Sequence, residues 1–253
     1  MQLKDFTKTM TDMLDIRRFD SADVSMNGLQ VGDLNTDVRK VAFAVDASLA
    51  TIKEAVARKA DVLFVHHGLF WGRPIAITGR HFARVSTMLG NNLALFACHL
   101  PLDAHPVLGN NAQMAVRLGL QDIQPFSFFR GVSVGVKGTF PVPMTAQEII
   151  GLLGVRENDT NFAVNCGDRR FRTVGIDSGD GAGDVYDAMS DGLDLLITGE
   201  SRYTTVNDCL ESGFGMLCLG HYETETFGVK AVMETVRADM GLQTCFIDMP
   251  LGL

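Results

Sequence analysis

Seven residues have the chemistry of metal ligands or proton carriers and recur at one kind of position: His66, His67, His99, Asp103, Glu200, His221 and Glu225. Each stands at or soon after the end of a short apolar run. The run 61–65 (DVLFV) leads into His66-His67-Gly68, and the run 93–98 (LALFAC) leads into His99. The run 194–198 (DLLIT) leads into Gly199-Glu200, and the run 215–219 (GMLCL) into Gly220-His221. A neutral imidazole offers one lone pair to a cation. A mixture of imidazoles and carboxylates suits zinc, iron or manganese and is too rich in nitrogen for calcium. The set exceeds what one tetrahedral ion needs, so two ions per chain is the economical reading. A single buried histidine is more often a packed core residue than a ligand. Two adjacent ones are harder to place that way, since each ring carries polar nitrogens that need partners.

The elements that hold these residues are legible from periodicity. Short continuous apolar runs bounded by turn residues predict fully buried, parallel strands. In open α/β sheets, sites lie at the carboxyl ends of such strands. Adjacent residues in a strand face opposite ways. Both His66 and His67 are therefore expected to reach one site only if the strand breaks before them, with Gly68 supporting the break. Pro101 predicts that Asp103 lies in a loop. Asn110 or Asn111 is expected to cap a following helix, and His81 is expected at the surface of the helix it opens. Glu225 falls in the first turn of the last helix, where the helix dipole favours a carboxylate even without a metal.

The first half reads as an amphipathic helix from Leu3 to Leu14, a loop at Asn27-Gly28-Leu29-Gln30, a strand at 40–46 and a helix capped by Ser48. The histidine strand follows, then a loop at 68–79 with the only tryptophan, Trp71, for which a lid or wall beside the site and plain local packing are equally open readings. The second half repeats the order, with strands at 173–177, 194–198 and 215–219. His66 and His67 then correspond to Gly199 and Glu200. The fold class is α/β, as two related lobes with mostly parallel sheets and a metal site in the cleft between them. The lobes are read as 1–126 and 127–253, divided in the glycine-rich stretch 126–138. The last helix and strand have the option of packing back on the first lobe. A capping box opens a helix at Thr145 and Glu148, and 156–170 is polar and loop-rich. The glycine-rich turn at 178–183 (SGDGAG) has a weak phosphate-loop character, outweighed by a plain turn with a helix cap.

Composition bounds the function. The chain has 253 residues, 46% hydrophobic and 21% charged, with a net charge of -8. An acidic balance argues against a broad nucleic-acid or anionic-membrane surface. Five cysteines without a C-x-x-C pair point to reduced thiols and a cytoplasmic setting. No apolar run reaches the length of a membrane span, and the first residues carry no signal core.

Taken together, Val65-His66-His67-Gly68, His99-Leu100-Pro101-Leu102-Asp103-Ala104-His105, Gly109-Asn110-Asn111-Ala112, Thr198-Gly199-Glu200 and Gly220-His221 with Glu225 resemble one family. This is the dinuclear-metal YbgI-like family, also called Nif-three-like or GTP cyclohydrolase I type 2 homologues. The Asn27-Gly28-Leu29-Gln30 loop fits it too. The sequence differs from some close relatives in having Tyr222 where they carry a second histidine. The resemblance implies that His66, His67, Asp103, His221 and Glu225 are metal ligands and that the chain forms a homohexameric ring. It implies a metal-dependent hydrolase of GTP cyclohydrolase type, in which a bridging water attacks a nucleotide or similar small molecule. His99 or Glu200 would then carry the proton, and Trp71 or Phe70 would stack on a base. The alternatives are a metal carrier or insertion factor, or a scaffold pinned by its metals.

Overall fold

The structure is a computed structural model that describes residues 1–156 and 161–251. In chain order it opens with α1 (Leu3–Met13), β1 (Gly28–Val31), β2 (Lys40–Asp46) and α2 (Leu49–Ala57). Then come β3 (Val62–His67), α3 (Gly79–Gly90), β4 (Ala94–Ala97) and the short α4 (Leu100–Ala104). Next are α5 (Asn110–Arg117), β5 (Gln121–Phe129), β6 (Val132–Met144), α6 (Ala146–Leu153) and β7 (Phe162–Val164). The rest is β8 (Phe171–Asp177), α7 (Val185–Ser190), β9 (Leu195–Thr198), α8 (Tyr203–Ser212), β10 (Gly215–Cys218), α9 (His221–Thr224), α10 (Thr226–Met240) and β11 (Gln243–Phe246).

Two compact units emerge. The first is Met1–His105 with Val229–Met249, and the second is Pro106–Gly228 with the residues from Pro250 on. The chain therefore divides at His105/Pro106 instead of at 126/127. The stretch 126–138 belongs to a β5–β6 hairpin inside the second unit. Its turn, Arg130-Gly131, has positive φ at both residues (47° and 86°), as a tight two-residue hairpin turn requires. The return of the carboxyl-terminal segment to the first unit is made by β11, which pairs in parallel with β2.

The first unit's sheet has the order β1-β4-β3-β2-β11, and only β1 runs antiparallel. The second unit's sheet has the order β5-β6-β8-β9-β10-β7. It is mixed: β8, β9 and β10 are parallel, while β5, β6 and β7 run antiparallel to their neighbours. The repeat is thus larger than periodicity suggests, since β1-β4-β3-β2 has its counterpart in β7-β10-β9-β8. Both leading strands escape the sequence reading. β1 begins with Gly28 at φ 99° and is followed by Gly32 at φ 148°, and β7 is three residues long. β7 lies within the polar 156–170 stretch, of which residues 157–160 fall outside the described residues.

One pair of hydrogen bonds marks the repeat at atomic detail. Asp61 Oδ2 accepts from the backbone N–H of Arg39 at 2.8 Å and of Lys40 at 2.9 Å. Asp194 Oδ2 accepts from Arg172 at 2.8 Å and Thr173 at 2.9 Å. In each unit an aspartate before the central strand closes the start of its parallel neighbour. Burial opposes ionisation of Asp194, but these N–H donors outweigh it and hold the carboxyl below its usual range.

Under the histidine strand lies an aromatic stack. Phe64 of β3 sits between Phe43 (5.2 Å between centroids) and Phe96 (5.8 Å, stacked), and Phe6 of α1 meets Phe96 edge-on at 6.1 Å. Each such pair adds about 0.5–1.5 kcal/mol beyond area burial. On the opposite face Leu63 and Val65 pack with Ala42, Ala44, Ile52 and Met88. The strand that delivers His66 and His67 is therefore clamped on both faces. Ser48 caps α2 by accepting from Thr51 N–H, and Thr145 and Glu148 form a capping box closed by Gly154 at φ 64°.

The cysteines are free, and Cys98, Cys166, Cys209 and Cys218 are buried. Burial pushes the Cys209 thiol up to about 11 and the Cys218 thiol up to about 12. A thiol-reactive dye at mild alkaline pH is accordingly expected to modify at most the half-buried Cys245 quickly in native protein, and all five cysteines after denaturation. Fast reaction of several native thiols would contradict this packing.

Candidate metal centre

In the first unit, β3 does not break before the histidines. It runs through His67, whose backbone pairs with Asp46 of β2, while pairing with β4 stops at Val65 and Ala97. The pleat is held on one side only at this point, and the two rings lie 4.7 Å apart. Cross-strand neighbours explain how each ring is aimed. His67 Nδ1 lies 2.9 Å from Asp46 Oδ1, its partner in register. His66 Nδ1 lies 2.9 Å from the carbonyl oxygen of Cys98, just past the end of β4. With Nδ1 engaged, Nε2 is the nitrogen each ring presents as a ligand.

His99 joins them. Its ring lies 5.1 Å from His66 and 5.7 Å from His67, and ligand atoms of the three lie within 4.8 Å of one another. Its Nδ1 lies 3.0 Å from Asp23 Oδ1. Asp23 also accepts from the N–H groups of Ser25 and Leu100 and from Asn27 Nδ2. Burial works against its charge, yet His99 and these donors outweigh burial and hold the carboxyl below its usual range. Trp71 closes the group: its ring meets His99 edge-on at 4.9 Å and His67 at 5.9 Å, and its N–H donates to Gly68 O. It is a wall of this cluster.

Asp103 lies in helix α4 and not in a loop, because Pro101 occupies a first-turn position where its missing N–H and fixed φ are tolerated. The carboxylate is buried, and Oδ2 lies 3.5 Å from His66 Nε2. That spacing is longer than a direct hydrogen bond. It suits two donors facing a shared ion. Burial, then the carboxylates of Asp103 and Asp23, push the Cys98 thiol well up, so this nearby sulfur stays protonated.

The Asn27–Gln30 segment, to which the sequence assigns no role, is the brace of these strand ends. Asn27 Oδ1 accepts from His99 N–H at 2.7 Å, and Gln30 Oε1 accepts from Leu69 N–H at 2.7 Å. Gly68 has to be glycine there: a Cβ would collide with the Gln30 amide and lie 2.7 Å from Ala97 Cβ.

In the second unit, His221 opens α9 and Glu225 ends it, immediately before α10, rather than lying inside α10. His221 Nε2 lies 2.9 Å from Glu225 Oε1, and His221 Nδ1 lies 2.6 Å from Glu200 Oε1. The strand registers set Gly220 and not His221 at the place His99 holds in the first unit, and they pair α9 with α4. Each short helix thus carries a buried carboxylate beside an imidazole.

Gly179 cradles the second pair. It has φ 64°, and a Cβ would collide with Glu225 Oε1 and lie 3.1 Å from His221 Nε2. Three amides of the 178–183 turn are engaged internally, those of Ser178, Gly179 and Gly181. Gly179 N–H donates to Thr224 Oγ1 and Gly181 N–H to Thr198 Oγ1. Those amides are closed to a phosphate, in keeping with a plain turn. Asn110 and Asn111 do not cap α5 but lie buried inside it. Asn111 accepts from Ser178 N–H and donates to Val134 O, and Asn110 accepts from Gly228 N–H. His81 is half-buried with its Nδ1 shielded, not a surface residue.

Imidazoles whose Nδ1 is held by a carboxylate or carbonyl, with Asp103 beside His66 in the first unit and Glu225 beside His221 in the second, are suited to hold divalent metal ions. The molecule belongs to the class of two-unit α/β proteins with groups suited to hold metal ions at the carboxyl ends of parallel strands. More narrowly, the chain belongs to the Duf34/NIF3 (NGG1p interacting factor 3) family, which it matches over residues 1–250. It is 42% identical over 231 residues to a Deinococcus radiodurans protein, covering 91% of this chain and 88% of that one. It is 40% identical over 256 residues to one from Halobacterium salinarum, covering both completely. Both are named GTP cyclohydrolase 1 type 2 homolog. Among solved structures, TTHA1606 from Thermus thermophilus is 37% identical with a TM-score of 0.86, and protein ybgI is 32% identical with 0.88. Each comparison covers both chains completely.

Proposed function

We propose that this chain is a dinuclear metal-dependent hydrolase of small molecules, with nucleotides as the first substrate class to test. His66, His67, Asp103, His221 and Glu225 would hold two divalent ions, with zinc, iron or manganese suited to the donors. The observation that carries this reading is the common arrangement of the rings. Nδ1 of His66, His67 and His221 meets an acceptor at 2.9, 2.9 and 2.6 Å, and that contact fixes Nε2 as the ligand atom. Bound divalent ions supply Lewis acidity and bring the pKa of water toward neutrality.

The remaining polar groups divide the other tasks. His99, outside the proposed ligand set, would hold or deliver a proton at Nε2, while Asp23 fixes its ring through Nδ1. Glu200 bonds His221 Nδ1, which suits a group that orients a ligand as much as a proton carrier. Trp71 would bear on a planar base. In this reading the assembly is a homohexamer and the setting cytoplasmic. Among the described residues no helix is long and apolar enough to cross a membrane.

The test is elemental analysis of protein purified without added metal or chelator, followed by a screen of nucleotides, esters, amides and phosphoesters with the metal found. About two ions per chain with turnover supports the reading. Metal without turnover, combined with rapid transfer to an acceptor protein, would replace the hydrolase by a metal carrier. Truncating the orienting groups gives a graded outcome. Asp46→Ala and Glu200→Ala are each expected to weaken metal affinity by about 10–100-fold in chelator competition, with the fold intact. Unchanged affinity with lost turnover in Glu200→Ala would return Glu200 to the role of proton carrier.

A further inference from the structure

The charge distribution singles out one segment of the first unit. No Asp or Glu occurs across residues 62–102, although the chain as a whole carries a net charge of -8. The only charged side chains of that stretch, histidines aside, are Arg73, Arg80 and Arg84. Several arginines elsewhere meet carboxylates, Arg58 with Glu54, Arg170 with Glu148, Arg202 with Asp180 and Arg237 with Glu234, while Arg117 and Arg172 bond carbonyl oxygens. Arg17, Arg18 and Arg39 also have no ion pair among the described residues, but they stand apart from the imidazole cluster in sequence. Among the described residues, Arg73, Arg80 and Arg84 have no ion pair and no hydrogen bond from their guanidinium groups. Arg80 and Arg84 stand four apart on α3 and share a face, a like-charge placement that disfavours the helix unless an anion answers it.

The segment starts at the imidazole cluster. Trp71 touches the rings of His67 and His99, and Arg73 is two residues further on. His81, between the two helix arginines, keeps a shielded Nδ1 with no hydrogen-bond partner. We propose that Arg73, Arg80 and Arg84 form an anion-recognition strap for the phosphate groups of a phosphorylated small molecule whose planar part rests on Trp71. Guanidinium groups match phosphate oxygens in a forked geometry, which makes arginine rather than lysine the apt residue. The proposal deepens the hydrolase reading and rests on it for the reaction that follows, but binding itself is testable without metal.

The probe is inorganic tripolyphosphate, titrated by calorimetry into chelator-treated full-length protein at low ionic strength. The wild type is expected to bind. Arg80→Ala/Arg84→Ala is expected to weaken binding at least about tenfold, and Arg73→Ala several-fold. Arg80→Lys/Arg84→Lys should lose less than the alanine pair, since lysine keeps the charge and loses the fork. Lys8→Ala/Arg237→Ala, which removes the same charge from two exposed ion pairs, should stay within about twofold. Thermal melts confirm that each variant folds. No binding by the wild type, or equal loss in the alanine pair and the control pair, overturns the strap. Tighter capture of a single-stranded oligonucleotide than of tripolyphosphate and nucleoside triphosphates overturns the small-molecule assignment. If the metal reading alone fails, tripolyphosphate binding and its dependence on Arg80 and Arg84 persist.

Discussion

Asp103→Ala is expected to cut metal content from about two ions per chain to one or fewer and to weaken the remaining affinity more than about a hundredfold. The side chain is nearly excluded from solvent at 9% exposure, and its Oδ2 faces His66 Nε2, itself fully buried, at 3.5 Å. A buried neutral imidazole without a carboxylate beside it offers a divalent ion little charge compensation. Losing a first-contact carboxylate therefore costs more than losing an outer partner. The same 3.5 Å spacing sets a second expectation. Because the pair is too far apart for a strong direct hydrogen bond, losing this one contact should itself cost chelator-treated Asp103→Ala little against chelator-treated wild type. The gap should widen when metal is supplied, since a ligand that binds only the native state raises stability with its concentration. Elemental analysis and paired melts with and without chelator check both halves. Unchanged metal content would remove Asp103 from the ligand set. A large loss of stability in the chelator-treated variant would make Asp103 a structural residue instead.

How much of this was legible in the sequence follows the physics of each element. The parallel strands β2, β3, β4, β8, β9 and β10 are buried on both faces, so they read as continuous apolar runs. β1 and β7 are short antiparallel strands, and neither has an apolar run of useful length. Pro101 shows how one residue supports two structures. It excludes a continuing ladder, but it equally suits the first turn of a helix, and α4 takes that option. Asn110 and Asn111 have the chemistry of helix caps, yet tertiary partners claim their side chains from Ser178, Val134 and Gly228. The groups that aim the histidines leave the faintest trace in the sequence. Asp46 ends a legible strand and stands in register with His67, so strand pairing points to it. Asp23 lies 76 residues from His99 in an irregular segment, where no periodicity or spacing marks it.

Gly179→Ala is expected to disturb the His221–Glu225 pair of the second unit more thoroughly than its size suggests. Two costs combine. The backbone at φ 64° is one that L-residues adopt at about 1–2 kcal/mol. The added Cβ also collides with Glu225 Oε1 and crowds His221 Nε2, so the imidazole–carboxylate pair has to move. The backbone at Gly179 cannot shift freely away from them. Gly179 O accepts from the N–H groups of Gly199 and Glu200 at 3.0 and 2.9 Å, and its own N–H donates to Thr224. Any displacement is passed to Glu200, which sets the ring of His221. Gly192 separates the two costs. It has nearly the same φ, 68°, and an added Cβ there meets nothing within 4 Å. Gly192→Ala should therefore lose about 1–2 kcal/mol in denaturant titration and keep its metal content. Gly179→Ala should lose about 2–4 kcal/mol and at least one ion. If both variants lose the same stability and both keep their metal, the space under His221 and Glu225 serves only the turn, and His221 and Glu225 lose their place among the proposed ligands.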